Sequence, residues 1–123
     1  MTEIDPPTPT MALRLKAAEL IERDGWHQGE YIDVTREGIV IGRCMVGALR
    51  CAANPALDRH LEEDCMEPVF DEVLDQLIEE LGLTPAAEPE GQDDLVEAVA
   101  SWNDYVGRSG QQVVAALRGQ AVA

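Results

Sequence analysis

Apolar residues recur at helical spacing in several separate stretches of this chain and alternate in only one. Leu13, Ala17, Leu20 and Ile21 fall on one face of a helix, with Thr10 as the expected N-cap and Gly25 at the C′ position. Tyr31 to Val34 and Ile39 to Ile41 are short β-branched runs around Thr35-Arg36-Glu37-Gly38, the pattern of a β-hairpin. From Cys44 to Ala53 only Arg50 is polar, and a helix that is apolar nearly all round is a buried one. Gly47 inside it costs about 1 kcal/mol against alanine, so it predicts the close approach of another backbone. Asn54-Pro55 stops this helix.

Between Ala56 and Met66 the pattern weakens to a short helix around Leu57 and Leu61. From Pro68, the residues Phe70, Leu74, Leu77, Ile78 and Leu81 form an apolar stripe that Gly82 closes. Thr84 to Gln92 reads as a linker of Pro, Glu and Gly. Asp93 and Asp94 then favour a helix start through the dipole, with Leu95, Val99 and Trp102 on its inner face. Ser109 and Gln112 match a capping box for a last helix with Val113, Val114 and Leu117 inward. The fold expected is mainly α (α+β): about five packed helices with one small β-hairpin. Residues 1–9, with Pro6, Pro7 and Pro9, read as a disordered tail, and 10–123 as a single helical domain.

Composition supports helices over a sandwich, because five aromatic residues among 123 leave the core to Leu, Val, Ile and Ala. No stretch nears the roughly 20 apolar residues of a membrane span, and the first residues lack signal-peptide order, so a cytoplasmic protein is expected. Three cysteines, an odd count, then read as reduced thiols. On one helix Cys44 and Cys51 stand about 10 Å apart along the axis, beyond disulfide reach.

Charge changes the picture more. Of the formal net charge of −15, about −14 lies in the segment 54–97, where fifteen carboxylates face one basic residue, Arg59. The face of the Pro68 helix opposite its apolar stripe carries Asp71, Glu72, Asp75, Glu79 and Glu80, with no lysine or arginine on that helix to pair with them. Such a field attracts basic partners and repels phosphate, so direct nucleic-acid binding lacks its electrostatic footing.

Three motifs run along the chain: W-x-Q-G at Trp26 to Gly29, C-x-x-G-A-L at Cys44 to Leu49, and W-N-D-x-x-G-R at Trp102 to Arg108. Their order and spacing, from about Leu13 to Leu117, resemble a family of uncharacterised small proteins encoded by actinobacteria and their phages. That resemblance implies such an origin, with a host cytoplasm as the location for a phage protein, and implies no activity. The acidic block and the linker around Glu88 are heavier here than the family pattern requires.

Cys44 at a helix start, His27 as base and Asp104 or Asn103 as its orienter would make a Cys-His-Asp arrangement. The competing reading makes Cys44 a small core residue and His27 a loop residue. The spacings of Cys44, Cys51, His60 and Cys65 lack paired C-x-x-C logic, so no metal is expected, and no cofactor motif occurs. Trp102 is expected in the core, Asn103 or Asp104 on nearby backbone N–H groups, and Arg108 on Asp104. A small-ligand pocket floored by Trp26 and Trp102 would add Gln28, Asn103, Asp104 and Arg108 as binding groups.

The function expected first is a non-enzymatic interaction protein whose acidic face, with Asp71, Glu72, Asp75, Glu79 and Glu80, binds a basic host protein surface or mimics nucleic acid. The alternatives are a small enzyme with a Cys-His nucleophile and a ligand-binding domain between the tryptophans. The apolar segment 113–123 offers a surface for a second copy of the chain.

Overall fold

The first helix begins earlier than its apolar spacing suggests. In the computed structural model, which describes residues 6–83 and 91–122, α1 spans Pro9–Asp24. Thr8, not Thr10, is its N-cap, and the Thr8 hydroxyl accepts a hydrogen bond from Met11 N at 3.2 Å. Proline at the first helical position explains the shift, since its missing N–H is one that would go unsatisfied there anyway. Pro9 thus belongs to the helix and not to the expected tail, whose residues 1–5 lie outside the described ones. Gly25 ends α1 with φ 99°, and its N–H returns to Ile21 O.

Strands β1 (Ile32–Val34) and β2 (Val40–Arg43) form the antiparallel hairpin, with an irregularity between Asp33 and Val34. The hairpin leans on the end of α1 through Arg43 N to Gly25 O at 2.9 Å and His27 N to Arg43 O at 3.0 Å. α2 (Met45–Ala53) follows directly with Cys44 as N-cap, and Met45 through Ala52 are all buried. The close approach at Gly47 is found: a Cβ there would stand 1.9 Å from Tyr31 O, inside contact distance. The ambiguous stretch resolves to a 3₁₀ turn at Pro55–Asp58, with Leu57 buried and Leu61 exposed.

α3 (Pro68–Glu80) buries Phe70, Val73, Leu74 and Leu77, while α4 (Gln92–Asn103) buries Val99 and Asn103. Of the linker, 84–90 lie outside the described residues. α5 (Gly110–Leu117) opens on the expected capping box between Ser109 and Gln112, and it buries Val113, Ala116 and Leu117 in the chain's own core. Among the described residues the architecture is therefore five helices and one two-stranded antiparallel sheet. α1 packs on α2, α3 and α5, and α3 packs on α4.

Three arginines are interior. Arg14, Arg43 and Arg50 expose 1%, 3% and 3% of their surface, and each donates hydrogen bonds to groups of other elements. Arg14 on α1 grips Glu80 with two hydrogen bonds of 2.7 and 2.8 Å and donates to the last carbonyls of α5, Ala116 O and Leu117 O. Ala116 O also accepts from Gly119 N at 3.1 Å, and Arg14 completes the C-terminal cap of α5 from another element. Arg43 holds Asp58 with both terminal nitrogens and Asp24 with Nε. Arg50 donates to His60 O and Leu61 O and lies 4.7 Å from the Tyr31 ring centre. No buried side-chain nitrogen or oxygen among the described residues lacks a partner.

Two outcomes follow from these contacts. Gly47→Ala forces a methyl into Tyr31 O, and thermal or urea unfolding should show a loss of at least about 3 kcal/mol, the upper range for overpacking; Gly91→Ala, with open space at its Cβ, should stay within about 0.5 kcal/mol of the parent. An unchanged Gly47→Ala variant would refute the close approach. Hydrogen bonding from Arg23, with a further bond from Arg43, holds Asp24 at about 2, against an ordinary 3.8. A depressed carboxylate stabilises the fold above its unfolded pKa and loses that contribution as pH falls through the folded one. Melting temperature should therefore drop between about pH 4 and pH 2. NMR titration placing the Asp24 carboxyl at its ordinary value would contradict the pairing.

Candidate functional site

The three sequence motifs meet at Asn103, the last residue of α4. Its side chain is fully buried and uses both ends. Oδ1 accepts from Trp26 Nε1 at 2.8 Å and from Met45 N, the first N–H of α2, at 3.0 Å. Nδ2 donates to His27 O at 3.2 Å and to Asp104 Oδ1 at 2.9 Å. Gln28 Nε2 reaches Asn103 O and Tyr105 O, each at 3.1 Å, and Asp104 Oδ1 also accepts from Gly29 N at 2.9 Å. Sequence reasoning expects Asn103 and Asp104 to serve their own loop; instead they bind the segment after α1 and the start of α2. The chemistry was legible, since short polar side chains seek backbone N–H groups, but the long-range partners were not.

Two further expectations are corrected here. Arg108 does not pair with Asp104: its Nε donates to Trp102 O at 2.9 Å, and its guanidinium lies over the Trp102 ring, 3.8 Å from the centre. The two tryptophans line different grooves. Trp26 faces a groove of about 350 Å³ with Ile21, Gly110 and Val114, whereas Trp102 and Arg108 face one of about 560 Å³ with Glu80, Leu81 and Val122.

The nucleophile candidates are each engaged elsewhere. Cys44 Sγ accepts from Gly47 N at 3.2 Å, capping α2, and burial pushes its thiol up to about 11, opposite to the lowering that a reactive cysteine needs. His27 Nδ1 is 3.9 Å from the Asp33 carboxylate, while Asp104 accepts from Gly29 and Asn103. Cys44, Cys51 and Cys65 are free and buried, and burial raises the Cys51 and Cys65 thiols as well. No group of three or more His, Cys, Asp or Glu among the described residues is placed to hold a metal ion.

The acidic segment is organised by a residue that the sequence reading passed over. Gln92, at the start of α4, accepts from Cys65 N at 2.9 Å and donates to Cys65 O at 2.7 Å and to Asp71 Oδ1 at 2.9 Å. One side chain thus ties the loop of Glu62, Glu63, Asp64 and Glu67 to α3 and to α4. Asp64, Asp93 and Asp94 border one recess as a result. Glu72, Asp75 and Glu79 are exposed along α3, and Glu67 before α3 and Asp93 and Glu97 on α4 are exposed as well. The expectation that the α3 carboxylates have no basic partner is corrected at Glu80, which Arg14 grips and holds below the usual carboxylate range. Arg14 carried a legible signal, since it shares the stripe of Ala18 and Ile21; the partner on α3 did not.

Asn103→Ala should strand the Trp26 indole N–H, Met45 N and His27 O together, costing at least about 3 kcal/mol in urea unfolding, since each orphaned buried group costs on the order of 1 to 3 kcal/mol. The Trp26 indole resonance should also move to a solvent-exposed position. A variant as stable as the parent would refute the hub.

No curated protein and no solved structure matches the chain. A family model matches residues 5–122, which include all three segments that meet at this buried asparagine: the chain belongs to the Family of unknown function (DUF6197).

Proposed function

We propose that this chain is a non-enzymatic interaction protein whose acidic face captures a basic protein surface. The observation that carries the reading is the unequal fate of the two signs of charge. Of nine basic residues, three are interior and spend their charge on Asp24, Asp58, Glu80 and backbone carbonyls. The exposed carboxylates Glu72, Asp75 and Glu79 recur at helical spacing along α3, and Gln92 fastens to α3 the loop of Glu67 and the start of α4, which carry further exposed carboxylates at Glu67, Asp93 and Glu97. A rigid, one-signed surface steers an oppositely charged partner and selects it by charge spacing. Carboxylates held in a row also offer what phosphates offer to a DNA-binding protein, which makes nucleic-acid mimicry the specific form of this reading. The motif order supports an actinobacterial or phage origin, with action in the bacterial cytoplasm. The buried, hydrogen-bonded Cys44 supports a scaffold over a nucleophile.

The test is a pull-down from an actinobacterial lysate with the parent chain and with Glu72→Lys/Asp75→Lys/Glu79→Lys. These three exposed positions should change stability by no more than about 0.5 kcal/mol each. A basic protein held at low salt should be released as ionic strength rises toward about 1 M, where the screening length falls to about 3 Å. The triple variant should not retain it. Absence of any salt-sensitive partner, or equal retention by the variant, would overturn the reading.

A further inference from the structure

The Trp102 groove holds a cation that the fold leaves uncompensated. Arg108 uses Nε on Trp102 O and rests one face on the Trp102 ring, with the Tyr105 ring centre 5.4 Å away, while its two terminal nitrogens have no protein acceptor among the described residues. This contrasts with Arg14 and Arg43, whose terminal nitrogens are bonded to carboxylates at 2.7 to 3.0 Å. A guanidinium stacked on an aromatic ring is stiff, and its free edge presents two parallel N–H donors, the geometry that matches a carboxylate.

The rest of the groove suits the same ligand. Its wall is mixed, with Leu81, Ala116 and Val122 beside the polar Gln120, and its volume of about 560 Å³ lies in the range of small-molecule sites. The one carboxylate on its wall, Glu80, is already held through both oxygens by Arg14, so it adds little net negative charge. The segment from Ala98 to the end is also the part of the chain that is not acidic, with Asp104 against Arg108 and Arg118. Arg118 is paired with Glu22, so Arg108 is the cation that this groove offers an anion. A single charge fits that balance better than a doubly charged phosphate, because the chain as a whole carries −15.

We propose that this groove binds a small organic carboxylate, with its carboxylate on the free edge of Arg108 and its apolar body against Leu81, Ala116 and Val122. This site adjoins the α3 face at Glu80 but does not rest on the proposed partner of that face. A free Trp102 groove and a bound one would differ in the Trp102 and Arg108 signals and not in those of Trp26, whose indole N–H is committed to Asn103.

The test is a ¹⁵N NMR titration of the full chain with 4-phenylbutyrate and, separately, with its uncharged amide. The acid should shift the Trp102 indole and Arg108 Nε signals saturably while the Trp26 indole stays in place. The amide should bind at least about tenfold more weakly, the loss expected when a charged hydrogen bond is removed. Arg108→Gln should lose the response, and Arg108→Lys should keep the charge but weaken binding, since it lacks the fork. No shift up to about 10 mM acid, weaker than any useful small-molecule affinity, would overturn the site. So would equal binding of acid and amide, or shifts centred on the Trp26 groove. The acid-against-amide comparison uses the parent chain, so it decides the matter even where Arg108→Gln disturbs its loop.

Discussion

A charge removed from water must be paired or hydrogen-bonded, and this chain removes three guanidinium groups, two held by carboxylates and one, Arg50, by carbonyls and a ring face. Each becomes a joint between elements distant in sequence. Arg14 connects α1 to the ends of α3 and α5, and Arg43 connects the hairpin to the end of α1 and to the turn after α2. Arg50 fixes the loop after that turn by its carbonyls. With five aromatic residues in 123, the core is built from small aliphatic side chains, and these polar joints fix which helix meets which. The consequence reaches the surface: the positive charge used inside is missing outside, and among the described residues Glu80 is the α3 carboxylate that an arginine holds.

The second joint is neutral. Asn103 has two donors and one two-fold acceptor, and the fold supplies a partner for each from three different segments. That is the physical content of the motif triplet. Trp26 supplies an indole N–H, the cysteine helix supplies its first backbone N–H, and the Trp-Asn-Asp turn supplies the amide that joins them. Two glycines allow the approach: Gly47 of the second motif lets Tyr31 O lie against α2, and Gly110, just past the third, lets α5 begin against Trp26, where a Cβ would stand 3.0 Å from Trp26 Cβ. Two of the residues that first suggest catalysis, Cys44 and Asp104, accept backbone N–H groups in this arrangement.

What was legible in the sequence was local. Helical spacing identified the core faces of α1 and α3, the β-branched runs and Gly38 identified the hairpin, and Ser109 with Gln112 identified the start of α5. Gly47 even announced a backbone contact. What the sequence did not disclose was pairing across distance. Nothing near Arg14 names Glu80, 66 residues away, and nothing near Gln92 names Cys65 or Asp71. Arg108 beside Asp104 suggested an ion pair by proximity, yet the carboxylate was taken by Gly29 and Asn103 and the guanidinium by an aromatic face. Thr10 lost the N-cap to Thr8 because Pro9 starts a helix at no cost in hydrogen bonds, and Thr10 instead accepts from Gln76 at 3.0 Å.

The surface reading depends on where the arginines are, and exchange of the arginine Nε protons with water reports that directly. Nε of Arg14 donates to Leu117 O and Nε of Arg43 to Asp24, both at 2.9 Å, whereas Arg36 is exposed. In an NMR exchange measurement the Arg14 and Arg43 Nε protons should be protected by orders of magnitude relative to Arg36, as expected for hydrogen-bonded interior groups. Equal, rapid exchange at all three would place the guanidiniums in solvent, free to neutralise the acidic face, and would contradict the account.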